Sequence, residues 1–159
     1  MDYELCLLSS VDNNSLGEML KRFTTEYSNK KASLSCYDGE IVIGSELFSL
    51  ALEIEDISDI AFVINHYNLD VNVFIRIQLF SNTFYQGIEL LFKIMGRLIR
   101  HIDGNLLLLE DGSAQLLRIE NDQLIVNNAF DQYQRKYLTT SLFSLLDRPY
   151  IEKELATKM

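Results

Sequence analysis

The sequence predicts an α+β fold: a largely antiparallel sheet with two main amphipathic helices packed on it and a helical C-terminal extension. Three observations carry that expectation. The hydrophobic period switches repeatedly between that of a strand and that of a helix. An Asp-Gly pair at 38–39 separates two short strand-like runs. Three apolar runs between 105 and 127 are joined by turn-rich tetrapeptides, the pattern of an antiparallel meander. With 159 residues, 48 % of them apolar and one proline, the chain suits one domain that buries roughly 70 % of its unfolded surface. Within that domain, 1–128 is expected to form an α+β core and 129–159 an extension. The 8 Tyr and 9 Phe residues supply large rigid groups for burial, which argues against disorder.

Residues 3–9 read as a strand in which Leu5, Cys6, Leu7 and Leu8 run together, as in a strand covered on both faces and placed inside the sheet. Ser15-Leu16-Gly17-Glu18 has the spacing of a capping box. A helix to about residue 27 follows, with Leu16, Met19, Leu20, Phe23 and Tyr27 on one stripe. Asp38-Gly39 supplies the positive φ angles of a tight hairpin between Leu34-Ser35-Cys36-Tyr37 and Glu40-Ile41-Val42-Ile43. Residues 48–55 alternate Phe48, Leu50, Leu52 and Ile54 against Ser49, Ala51, Glu53 and Glu55, a strand from whose wet face Glu53 and Glu55 project together. Residues 56–67 read either as a short helix capped near Asp56 or Ser58 or, through Ala61-Phe62-Val63-Ile64, as a strand; the helix is preferred.

The clearest strand sets Val71, Val73, Ile75, Ile77 and Leu79 against Asn72, Phe74, Arg76, Gln78 and Phe80. The longest helix follows over 83–101, with Ile88, Leu91, Phe92, Met95, Leu98 and Ile99 at helical spacing. Glu89 and Lys93 form an i,i+4 pair, Arg97, Arg100 and His101 complement the helix dipole, and Gly104 is placed to stop the helix. Strands over 105–109, 115–119 and 124–127 form the meander. Two amphipathic pieces complete the chain, at 137–146 and 149–156, the second starting with Pro149 at a first helical position after an Asp147 cap.

Charge is distributed unevenly. The 44 residues 32–75 hold eight acids, Asp38, Glu40, Glu46, Glu53, Glu55, Asp56, Asp59 and Asp70, and no Lys or Arg, which accounts for nearly all of the net charge of −9. A concentrated negative field steers basic partners into contact. The same field repels nucleic acid, so direct nucleic-acid binding is excluded. No apolar run reaches the ~18 residues of a membrane span, and the opening Met1-Asp2-Tyr3-Glu4 is acidic where a signal peptide is basic. A cytoplasmic protein with no membrane partner is expected. Cys6 and Cys36, both in strand-like runs, read as small buried hydrophobes.

Catalytic constellations are not visible. His66 and His101 lie in different elements without metal-ligand spacing, the seven glycines form no phosphate loop, and the paired carboxylates lack the apolar pocket that would separate their proton affinities. No enzyme activity, metal or cofactor is therefore expected.

The order of residues resembles a known family. An opening strand Tyr3-Glu4-Leu5-Cys6-Leu7, then Ser15-Leu16 and a helix, is similar to the SitI-type immunity proteins of bacterial swarming-inhibition and other polymorphic toxin systems. Val73-Phe74-Ile75-Arg76-Ile77 leading into the long helix, then Gly104-Asn105-Leu106-Leu107-Leu108-Leu109-Glu110-Asp111-Gly112, a variable strand and Leu124-Ile125-Val126-Asn127, extend the resemblance over 1–128. It implies a protein that binds and neutralises a cognate secreted antibacterial toxin by stoichiometric contact. Carboxylates standing in for phosphates would cover a basic active site; Glu53, Glu55, Asp56 and Asp59 are the first candidates and Glu110 and Asp111 the second. The alternative is an acidic secretion chaperone, a homodimer whose apolar surface wraps an effector segment. The sequence leaves the oligomeric state open.

Overall fold

The computed structural model describes residues 1–55 and 57–156. Nine strands form one sheet: β1 (Asp2–Leu7), β2 (Ser33–Tyr37), β3 (Glu40–Gly44), β4 (Phe48–Glu53), β5 (Val73–Leu79), β6 (Leu106–Glu110), β7 (Ala114–Glu120), β8 (Gln123–Asn127) and β9 (Tyr150–Lys153). Their spatial order is β2-β3-β4-β5-β1-β6-β7-β8-β9, antiparallel throughout except for the parallel pair β8 and β9. β1 sits between β5 and β6, which is why its apolar run is continuous. The 38–39 hairpin forms as expected, with Asp38 at φ 52° and Gly39 at φ 77°.

One face of the sheet is covered by α1 (Asn13–Ser28) and α3 (Phe84–Ile99). Leu16, Leu20 and Phe23 of α1 and Phe92, Met95 and Leu98 of α3 meet the inward residues of β1, β3, β4 and β5 in the main core. Arg97 of α3 stacks its guanidinium 4.3 Å above the Phe23 ring and pairs with Glu26, clasping the two helices. A third helix, α2 (Ser58–Tyr67), lies on the opposite face, where Val63 and Tyr67 pack on Cys6, Phe74, Leu107 and Leu109. The helical reading of this segment therefore holds over 58–67.

Four local expectations are corrected. Helix α1 starts before the anticipated capping box: Asp12 is the N-cap and accepts the Ser15 N–H at 2.8 Å, placing Ser15 inside the first turn. A charged carboxylate at the cap satisfies a first-turn N–H and also meets the positive end of the helix dipole. Gly104 acts by close approach, since a Cβ there would lie 2.3 Å from the Leu8 carbonyl oxygen. Cys36 is exposed, because β2 is the edge of the sheet, whereas Cys6 is buried.

The fourth correction concerns the C-terminal extension, which is only partly helical. It forms the short helices α4 (Gln132–Arg135) and α5 (Thr140–Ser144) and then β9, where a second amphipathic helix is expected from the sequence. Asp147 adopts φ 52° and so ends the preceding turn. Arg148 then donates to the Asp122 carbonyl and carboxylate, both at 2.7 Å, and Tyr150 and Ile151 pair with Leu124 and Ile125. A strand already in place, with an aromatic and a β-branched residue to lay beside it, outweighs the weak helical period of this short segment.

Candidate functional site

The second face of the sheet is only partly covered. At ~1.5 Å per residue a helix of the length of α2 spans about 15 Å, some three strand spacings. It shields part of β5, β1 and β6 and leaves β3, β4 and the first half of β1 open. Period-two alternation sends Asp2 and Glu4 of β1, Glu40 and Val42 of β3, Ser49, Ala51 and Glu53 of β4, and Arg76 and Gln78 of β5 to this side. All of these except Glu53, together with Tyr3 and Ile77, line a shallow trough of about 510 Å³.

Arg76 is the cation of the trough. It stands opposite Ala51 on one side and Glu4 on the other. Its Nη2 donates to Glu40 and its Nε lies 3.6 Å from Glu53. The hydrogen bond to Glu40, then the charges of Glu40, Glu53 and Asp59, hold the guanidinium more firmly protonated than usual. Asp59 reaches this field from the first turn of α2.

Glu4 anchors the other wall. Its Oε2 accepts the Gly112 N–H at 2.9 Å, which fixes the turn after β6, and the Tyr67 hydroxyl donates to the carbonyls of Gly112 and Ser113 at 3.1 and 3.3 Å. Burial raises the Glu4 carboxyl above its ordinary value; the Gly112 hydrogen bond opposes the rise, while Asp111, Asp2 and Asp59 add to it. Glu40, Glu53 and Asp59 thus act on the Arg76 guanidinium, while Asp2, Asp59 and Asp111 act on Glu4, so Asp59 is common to both groups. The neighbouring Cys6 thiol is driven upward, by burial first and then by Glu4, Asp59 and Glu53, and is inert.

The residues expected to act together are separated by the fold. Glu53 meets Arg76 beside the trough, Asp59 acts on Glu4 and Arg76 from α2, and Asp111 acts on Glu4 from the turn that Glu4 holds. Glu53 and Glu55 do not project together: Glu53 turns to Arg76, its side chain 12 % exposed, while Glu55 lies past the end of β4 against Gly39 at the hairpin tip. Asp56 lies outside the described residues. Glu110 is buried on the helix-covered side and leaves the group of contact candidates. It accepts from Gln134 Nε2 at 2.6 Å and from the Tyr137 hydroxyl, which in turn accepts from Tyr3 at 2.9 Å. Burial, first among the causes, keeps both phenols protonated as donors. Glu110 and Asp111 are adjacent, so strand alternation sends one inward as the other enters the turn.

No family model, curated protein or solved structure matches this chain.

Sequence reasoning missed Asp2, Glu4, Glu40 and Arg76 as members of one surface. The available signal was alternation: acids at 2 and 4 interleave with Tyr3 and Leu5, and Arg76 sits on the polar side of the clearest strand. The acid-only tract is also partly neutralised by the cations at its ends, Lys30 on Glu46 at 2.7 Å and Arg76 on Glu40. Lys30, Lys31 and Lys93 line a separate cleft of about 560 Å³ beside the ends of α1 and β3, together with Glu46 and Glu89, which pair with Lys30 and Lys93, so this second concavity carries mixed charge. His66 stacks on Phe62 at 4.0 Å and His101 lies against the Arg97 carbonyl, neither lining the trough. Among the described residues no three His, Cys, Asp or Glu gather as a metal site, and no helix is long and apolar enough to cross a membrane. The arrangement offers fixed negative charge and hydrogen-bond acceptors on a rigid sheet, which is chemistry suited to guanidinium and ammonium groups.

Proposed function

We propose that this protein is an immunity protein that binds a cognate toxin domain in stoichiometric complex and neutralises it, with the open sheet face as its contact surface. The observation that carries the reading is the convergence of carboxylates from β1, β3, β4, α2 and the turn after β6 on one exposed face around Arg76. A basic active site built to hold phosphates would meet an array of carboxylates in their place. α2 adds Ile57, Phe62 and Ile64, which are exposed on or beside the helix that carries Asp59, and an apolar centre with a charged border is the usual anatomy of a protein interface. The resemblance of 1–128 to SitI-type immunity proteins points the same way.

The test is co-expression with the toxic domain encoded in the adjacent reading frame, scored by growth and then by co-purification. Growth rescue with a stable complex is expected. A variant carrying Asp2→Lys, Glu53→Lys, Asp59→Lys and Asp111→Lys should fold, as judged by circular dichroism, and lose about 100-fold or more in affinity, with a flatter salt dependence. Unchanged affinity in that folded variant refutes the face assignment. Binding of a non-toxic, extended segment without rescue would move the protein to the chaperone class.

A further inference from the structure

The two edges of the sheet are treated differently. β9 is bordered by Pro149 and carries Glu152 and Lys153, charges and a proline of the kind that discourage further pairing. β2 has none of these protections. Ser33-Leu34-Ser35-Cys36-Tyr37 contains no charge and no proline, and it pairs with β3 in unbroken register from Ser33 opposite Gly44 to Tyr37 opposite Glu40. It is also unusually apolar for an exposed edge: Tyr37 is 75 % exposed and Cys36 is open to solvent.

The hairpin geometry states which backbone groups are on offer. Tyr37 and Glu40 flank the two-residue Asp38-Gly39 turn and form the hydrogen-bonded pair that closes it. Ser33, Ser35 and Tyr37 therefore direct their N–H and C=O groups to β3, and Leu34 and Cys36 direct theirs outward. Two outward residues flanking one inward residue is a self-complementary pattern. A second β2, turned antiparallel about a two-fold axis at Ser35, sets Leu34 of one copy opposite Cys36 of the other twice over, which satisfies four donors and acceptors on each side.

Charge selects the same orientation. Lys30 and Lys31 precede β2, and Asp38, Glu40 and Glu55 gather at its far end. Antiparallel pairing brings Lys31 of each copy toward the acidic hairpin tip of the other, whereas parallel pairing would bring like charges together. We propose that β2 is the docking edge for a second copy of this chain, joining two nine-stranded sheets into one across Ser35. The trough lies on the open face of β3, β4, β5 and β1, so it stays accessible in the dimer and each dimer presents two of them.

Sedimentation velocity from low to high micromolar concentration should show a monomer–dimer equilibrium that weakens with salt. Ser35→Cys in a Cys36→Ser background places a thiol opposite its own copy, at the close approach of a non-hydrogen-bonded pair, and should give a disulfide-linked dimer under mild oxidation. Ser33→Cys in the same background faces Tyr37 of the other copy and should not cross-link. Cys36→Lys, at an exposed position, should leave the circular dichroism unchanged and abolish dimerisation. A protein that stays monomeric throughout, or a dimer that survives Cys36→Lys and does not cross-link through Ser35→Cys, overturns the proposal. Neither result bears on toxin binding, which is read separately by growth rescue.

Discussion

The two faces of this sheet are made from the same strands by the same alternation, yet they have opposite chemistry. On the face under α1 and α3, every strand from β1 to β8 except the edge strand β2 contributes at least one buried apolar side chain to a single cluster. On the other face the apolar cluster is confined to the shadow of α2, and beyond it the positions, Val42 and Ala51 apart, become Asp, Glu, Ser, Gln and Arg. Burial decides stability on the first face because an apolar side chain there has no water to return to. On the second, the charges remain solvated, and their arrangement is available for recognition.

Substitutions should separate the faces sharply. Phe92 is fully buried between α3 and the sheet, with its ring 5.9 Å from Phe143 of α5. Phe92→Ala should cost about 3–5 kcal/mol and lower the melting temperature by roughly 6–20 °C. Thermal unfolding followed by circular dichroism measures this directly. A drop no larger than that of an open-face substitution would mean the comparison is wrong.

Glu110→Ala should have the next largest effect. It removes the acceptor shared by Tyr137 and Gln134, and Gln134 is also the partner of Asp131 in the capping box of α4. Leaving these buried donors unsatisfied should cost about 2–4 kcal/mol. Hydrogen exchange should localise the loss, with amides of α4 and α5 exchanging faster while those of β3 and β4 keep their protection. Uniform acceleration along the chain would show that the network does not act as a local tie.

That network also shows where sequence reading stops. The order and type of the elements through β8 are legible because each is a local period closed by a turn residue: Phe48, Leu50 and Leu52, or Val73, Ile75 and Ile77, repeat every second position, and the loops between strands carry no such repeat. The content of the open face is half legible. Asp59 and Glu53 stand out in an acid-only tract, but Asp2 and Glu4 lie in sequence far from it and join it only because β1 inserts between β5 and β6. Glu110 and Asp111 read as one acidic pair, yet the partners that draw Glu110 inward, Gln134 and Tyr137, come from a segment placed by tertiary contact. β9 escapes a sequence reading for the same reason: its strand character depends on a free edge of β8, which no local pattern in residues 149–156 reports.

The finest difference between the faces lies in two carboxylates with opposite dependence on pH. Asp12 caps α1; its hydrogen bonds from the Ser15 backbone and then the Ser15 hydroxyl lower its proton affinity, so its contribution to stability is present above the ordinary aspartate value and is lost as pH falls through the folded one. Glu4 behaves in the reverse way. Burial, together with Asp111, Asp2 and Asp59, raises its carboxyl above the ordinary value of 4.5, so the fold is favoured by the protonated form and this advantage is lost as pH rises through the raised value. Glu4→Gln keeps an oxygen for the Gly112 N–H and removes the charge. It should raise the melting temperature slightly near pH 7, and the gain should vanish at about pH 4, where the parent carboxyl is itself protonated. Equal melting temperatures at both pH values would place Glu4 outside the field of Asp111, Asp2 and Asp59. If the variant is more stable and also binds its basic partner less tightly, the charge at Glu4 is held against the stability of the fold, as expected of a residue retained for recognition.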